Sequence, residues 1–134
     1  MAMTGRILVG VFYVLMGAGL IKDFRLVVQL MASKGIPAPD VLLIAAILVW
    51  FAGGGALLAN YQVKLAALGL LALTAVVTLV IHNFWTAPPA TFANEMQHFL
   101  KNVAICGALL ILAGLPFYRH WTRSVSNAGH TALS

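Results

Sequence analysis

Four long apolar stretches divide this chain. The first, Ile7 to Ile21, has no charge inside it and is flanked by Arg6 and Lys22. It is short for a membrane span, which needs about 20 residues. The stems of the two flanking residues can reach outward and lengthen it. The second, Val41 to Ala59, is also free of charge and follows Pro37, Pro39 and Asp40. Asp40 is in place to cap a helix there. The third runs from Leu65 to about Trp85 and the fourth from about Gln97 to Phe117. Between the first two, Phe24, Val27, Val28 and Met31 recur at i, i+3, i+4 and i+7, with Arg25 and Gln29 on another face. That spacing predicts a short amphipathic helix in the membrane interface, or a re-entrant segment.

The pattern predicts an all-α membrane protein. Four transmembrane helices, about 5–22, 41–59, 65–85 and 96–117, form one bundle over residues 1–121. The interfacial segment covers about 24–34, and a polar, disordered tail is expected over 122–134. Pro88 and Pro89 separate the last two spans, and Asn94 with Gln97 resembles a capping box. The five residues Asn60 to Lys64 are a short connection, which makes spans two and three antiparallel neighbours. Small residues recur in the spans: Gly53, Gly54 and Gly55 in the second, Ala104, Gly107, Ala108 and Gly114 in the fourth. In lipid such residues let helix backbones approach closely. No strand precedes the glycines, so they do not read as a nucleotide loop.

Composition supports this reading. Of 134 residues, 62% are hydrophobic and 8% charged, where a soluble domain carries about 25% charged residues. The mean hydropathy is +0.98. The net charge of +5 rests on eight dispersed Lys and Arg, a pattern that suits anionic headgroups rather than nucleic acid. Arg6 and the small residues Gly17, Ala18 and Gly19 give the first span a faint signal-peptide look. Lys22 follows closely, so a retained helix is expected. One cysteine, Cys106, excludes an intrachain disulfide and a cysteine-based zinc motif. It reads as a small buried apolar residue. Four crossings place Arg6, Lys64, Arg119 and Arg123 on one side, and Lys22, Arg25, Lys34 and Lys101 on the other. The positive-inside comparison is balanced, and the N-terminal amine tips it toward cytoplasmic termini.

The polar residues collect at one face. The first span ends at Lys22 and Asp23, the third at His82, Asn83 and Trp85. The fourth begins with Glu95, Gln97, His98, Lys101 and Asn102. All three carboxylates, Asp23, Asp40 and Glu95, lie on that face. Thr74, Thr78 and His82 share one helical stripe, as do His98, Asn102 and Cys106. If the stripes face each other, they frame a polar pocket open to one side. His82, His98, Asn102, Lys22, Asp23, Gln97 and Lys101 are therefore the candidate ligand-binding residues. Simpler roles stand beside this one. Lys101 and Trp85 suit anchoring at the interface, and Thr74 and Thr78 suit bonds back to their own helix. Neutral His and Asn could hydrogen-bond a quinone carbonyl. Two histidines are too few to specify a metal, and haem ligation would need both deeper in the membrane. The absence of a repeat or a broken helix pair disfavours a transporter.

Several short stretches carry a resemblance. They are Gly5-Arg6, Gly19-Leu20-Ile21-Lys22-Asp23-Phe24, Gly35-Ile36-Pro37-Ala38-Pro39, Gly53-Gly54-Gly55, His82-Asn83-Phe84-Trp85 and Gln97-His98-Phe99-Leu100-Lys101-Asn102. In this order, over about residues 5–115, the chain resembles the DoxX family of small four-helix integral membrane proteins. The resemblance implies a multi-pass protein of a bacterial or archaeal plasma (inner) membrane. It also implies association with quinol-oxidising, thiosulfate-oxidising or other membrane oxidoreductase systems. The family often carries a Glu in the second span just before the glycines, where this chain has Val49, Trp50, Phe51 and Ala52. That departure argues against independent catalysis. The expected role is an accessory or structural subunit of a membrane redox complex. The alternative is a quinone-binding subunit, and haem ligation is a lesser one. The expected partners are the lipid bilayer and other membrane subunits or a second copy, with no nucleic acid.

Overall fold

A computed structural model describes the backbone of residues 2–131 and the side chains of residues 3–114. The polar tail expected over 122–134 lies outside the fully described residues. Five α-helices follow one another: α1 Ala2–Lys22, α2 Phe24–Ser33, α3 Pro39–Leu58, α4 Val63–Val80 and α5 Pro89–Thr131, with a 3-10 turn at Phe84–Thr86 before α5. Four segments are long and apolar enough to cross a membrane: Met3–Lys22, Pro39–Leu58, Val63–Thr86 and Pro89–Gly114. The protein is an all-α, four-span membrane protein. Only 17% to 33% of each span is buried within the chain, so most of the apolar surface is left to lipid. Leu8, Leu15, Leu48, Leu65, Val76 and Ile111 are among the outward side chains.

Local chemistry sets the ends. Helix α2 is the amphipathic segment, and Gly35 closes it at φ 74°. The Ile36 N–H donates to Met31 O and the Gly35 N–H to Ala32 O, a Schellman ending that favours glycine. Helix α3 ends the same way on Asn60 at φ 57°, with Tyr61 N–H donating to Ala56 O. Asn is the residue other than Gly that accepts this conformation most readily. The Arg6 guanidinium also donates to Leu57 O, tying the start of α1 to the end of α3.

Some boundaries differ from those expected. Asp40 is not the cap of α3; Pro39 is the first helical residue, and Asp40 sits in the first turn, where its charge still suits the helix dipole. Helix α4 stops at Val80, so His82 lies just past the helix instead of on its stripe. Pro88 and Pro89 do follow the third span, but α5 begins at Pro89, earlier than the expected start near 96, because a first-turn residue needs no amide hydrogen. Asn94 and Gln97 fall inside α5, and no capping box forms there.

The bundle is two tight pairs, α1 on α3 and α4 on α5, joined through α3 and α4. Helices α1 and α5 meet only sparsely. The core is Tyr13, Trp50, Leu57, Ala67, Leu70, Leu109, Leu112 and Ala113. Glycine makes two of the seams. A Cβ on Gly54 would lie 3.0 Å from the Gly10 carbonyl oxygen, and one on Gly53 would lie 2.6 Å from Leu70. Gly55, Gly107 and Gly114 have nothing within 4 Å of such a Cβ, so the close packing expected of all these glycines holds for only some. Cysteines placed at Asn60 and at Ala90, in a Cys106→Ser background, are expected to label from opposite sides of the membrane. Labelling of both from one side would overturn four crossings.

Candidate functional site

The four spanning helices enclose a cavity of about 170 Å³. Helix α1 contributes Phe12, Tyr13 and Met16, and α3 contributes Trp50. Thr74 and Val77 come from α4, His82 from the segment after it, and His98, Lys101 and Asn102 from α5. Of the residues expected from sequence, the structure brings together His82, His98, Lys101 and Asn102. Lys22, Asp23 and Gln97 are exposed and do not line the cavity.

The aromatic wall is built by edge contacts. Tyr13 meets Phe12 at a centroid distance of 5.3 Å and Trp50 at 6.0 Å, geometries that favour a ring edge against a ring face. The Tyr13 hydroxyl is 2.6 Å from Thr74 Oγ1, which joins α1 to α4 and satisfies both groups. Thr78 bonds back to the Thr74 carbonyl at 2.5 Å. The back-bonding expected of both threonines is thus found at Thr78, while Thr74 reaches across the bundle.

At the polar end, the His82 and His98 rings stack 4.8 Å apart and 12° from parallel. His82 Nδ1 lies 2.8 Å from Glu95 Oε2. A carboxylate only accepts, so this nitrogen carries the hydrogen. Lys101 Nζ lies 3.1 Å from His98 Nδ1. An ammonium only donates, so in His98 the hydrogen is on Nε2. The flanking groups therefore set a hydrogen on Nδ1 of His82 and on Nε2 of His98. This face-to-face stack leaves no room for a porphyrin between opposed nitrogens, and it does not make a haem site. Among the described residues, no three His, Cys, Asp or Glu side chains are grouped to hold a metal ion.

Trp50 and Asn102 are buried cavity residues whose side-chain polar atoms have no partner among the described residues. Trp50 is 8% exposed, and its indole N–H is buried without a hydrogen bond. Asn102 is 9% exposed and makes no side-chain hydrogen bond with the described residues. A buried unpaired donor costs about 1–3 kcal/mol, so a native protein that keeps one has a use for it or a partner in another state. With the His98 Nε2–H and the Lys101 ammonium, the lining is rich in donors. The Tyr13 and Thr74 hydroxyls already engage each other, and the Asn102 amide oxygen is an acceptor left beside these donors.

The segment after α4 is anchored by aromatic packing. Phe84 contacts Trp85, Phe92 and Phe99 at 5.2 to 5.7 Å. Lys34 Nζ donates to Asn83 Oδ1 at 2.7 Å, pinning the loop after α2 to the one after α4. This scaffold holds His82 against His98.

The DoxX family model matches residues 1–83, a stretch holding α1 to α4 and, with them, Phe12, Tyr13, Met16, Trp50, Thr74, Val77 and His82. The chain belongs to the DoxX family. This DoxX protein is also similar to the inner membrane protein YphA of Escherichia coli strain K12, at 27% identity over 111 residues, covering 83% of this chain and 79% of YphA. No solved structure matches. In this DoxX chain the donors on α5, His98, Lys101 and Asn102, lie beyond the stretch that the family model matches.

Proposed function

We propose that this protein is an accessory subunit of a membrane redox system that holds a quinone-type ring in the cavity. The observation that carries this reading is the buried, unpartnered Trp50 N–H in a residue that lines the cavity together with Asn102 of α5. A benzoquinone ring presents two carbonyl acceptors on opposite edges and no donor. Donors on α3 and α5 suit those two edges, and the Phe12, Tyr13 and Trp50 side chains suit its faces. The size agrees: an apolar cavity of about 150 Å³ in another protein takes up benzene. Among the described residues no carboxylate lines the cavity, and the role proposed for its residues is to bind and orient a ring.

The test is purification from a quinone-containing bacterial membrane in mild detergent, followed by solvent extraction. Near-equimolar quinone is expected with the wild-type chain and a loss of most of it with Asn102→Leu. A wild-type chain without quinone, recovered in a stable complex with other membrane subunits, would instead support a purely structural accessory role. We place the protein in the inner membrane with its termini in the cytoplasm. Labelling of a cysteine at Asn60 from the cytoplasmic side is the matching result.

A further inference from the structure

Three of the four lateral seams around the cavity are sealed. Between α1 and α3, Gly10 and Gly54 bring the backbones so close that a methyl group would meet a carbonyl at 3.0 Å. Between α3 and α4, Leu70 fills the space over Gly53. Helices α4 and α5 pack closely along their length, and the stacked His82 and His98 rings close the end of that seam. The fourth seam differs. Helices α1 and α5 both line the cavity, yet they touch each other only sparsely. At its edges stand Phe12 and Met16, half-buried, and Lys101, exposed. The membrane-face end is crossed by the array from Glu95 through His82 and His98 to Lys101.

The volume adds a second constraint. At about 170 Å³, the cavity is smaller than the roughly 300–1,000 Å³ of pockets that bury a whole drug-sized ligand. It takes one substituted ring, and any remaining part of the ligand lies outside. Outside the α1–α5 seam is the hydrocarbon of the bilayer, where only an apolar extension is stable.

We propose that the cavity is entered sideways from the bilayer through the seam between α1 and α5, and that its ligand is an amphiphile with one acceptor-bearing ring inside and an apolar tail left in the lipid. This rests on the ring-binding reading above and adds the route and the shape of the ligand. Lys101, at the edge, stays outside the ring and meets whatever polar substituent sits nearest the membrane face.

A photo-crosslinking experiment in lipid nanodiscs separates the two claims. The probe is a dimethoxy-methyl-benzoquinone bearing a decyl chain with a terminal diazirine, competed with the same quinone lacking the chain. The tail-less quinone is expected to remove most of the labelling. The labelling it removes is expected to be several-fold higher on peptides of α1 and α5 than on peptides of α3 and α4. Labelling that the tail-less quinone removes but that spreads evenly over all four spans, or falls on the loops, overturns lateral entry and leaves ring binding standing. Labelling that the tail-less quinone does not reduce overturns ring binding and lateral entry with it. The Trp50→Phe chain is expected to lose several-fold of the competable labelling while keeping the uncompeted background, which an unspecific lipid-side reaction would not do.

Discussion

Gly54→Leu is expected to destabilise the folded chain by on the order of 3 kcal/mol, the upper range for overpacking a tight core, whereas Gly55→Leu, one residue on, changes stability by less than about 0.5 kcal/mol. The contrast comes from direction alone. At Gly54 a Cβ would stand 3.0 Å from the Gly10 carbonyl oxygen and 3.1 to 3.2 Å from side-chain atoms of Val14 and Tyr13. A backbone oxygen cannot swing aside as a side chain can, so α1 and α3 must separate. At Gly55 a Cβ meets nothing within 4 Å. Separation carries a large cost here because helix association in lipid rests on packing and has no hydrophobic drive. Thermal unfolding in detergent, followed by helical circular dichroism and by size-exclusion profile, measures both variants. Equal loss at the two positions would show that α1 and α3 do not cross at Gly10 and Gly54.

Trp50→Phe is expected to separate binding from stability. The change removes an unpartnered buried donor, a gain of about 1–3 kcal/mol. It also removes part of a ring that packs on Tyr13, a loss of similar size. Stability should therefore stay within about 1 kcal/mol of wild type. Quinone affinity should fall about tenfold, which is about 1.4 kcal/mol for one lost hydrogen bond. A titration of detergent-solubilised protein with a soluble benzoquinone reads the first quantity and a melt reads the second. Unchanged affinity with normal folding would show that the indole N–H plays no part in holding a ligand.

The spans were legible because charge-free runs have one meaning in a chain this poor in polar residues. The amphipathic α2 was legible from its spacing, and the loaded face followed from the order of the spans. Tyr13 and Trp50 were not legible. Helices α1 and α3 are apolar all round, and lipid is as apolar as the core, so periodicity does not say which side of such a helix points inward. Topology assigns depth in the membrane but not direction around the bundle. Hence Lys22, Asp23 and Gln97 share a face with His82 and His98 without sharing their cavity. Thr74 could have signalled Tyr13, since a buried tyrosine hydroxyl needs a partner, but nothing linear ties position 13 to position 74. The start of α5 at Pro89 was missed for a different reason: the same ring that ends a helix can begin one.

The pairing of α1 with α3 and of α4 with α5 bears on how the molecule is made. The first span leaves the ribosome before its partner exists and waits in the lipid until α3 arrives, when Arg6 can reach Leu57. The second pair forms later from the closing half of the chain. Each pair has a seam of its own, but the cavity belongs to neither and exists only once the two have met. A molecule lodged there would touch both halves at once and, by mass action, favour their union. The ligand would then be the last piece of the protein's own assembly, and a chain made without it would reach the membrane complete in sequence but looser in its middle.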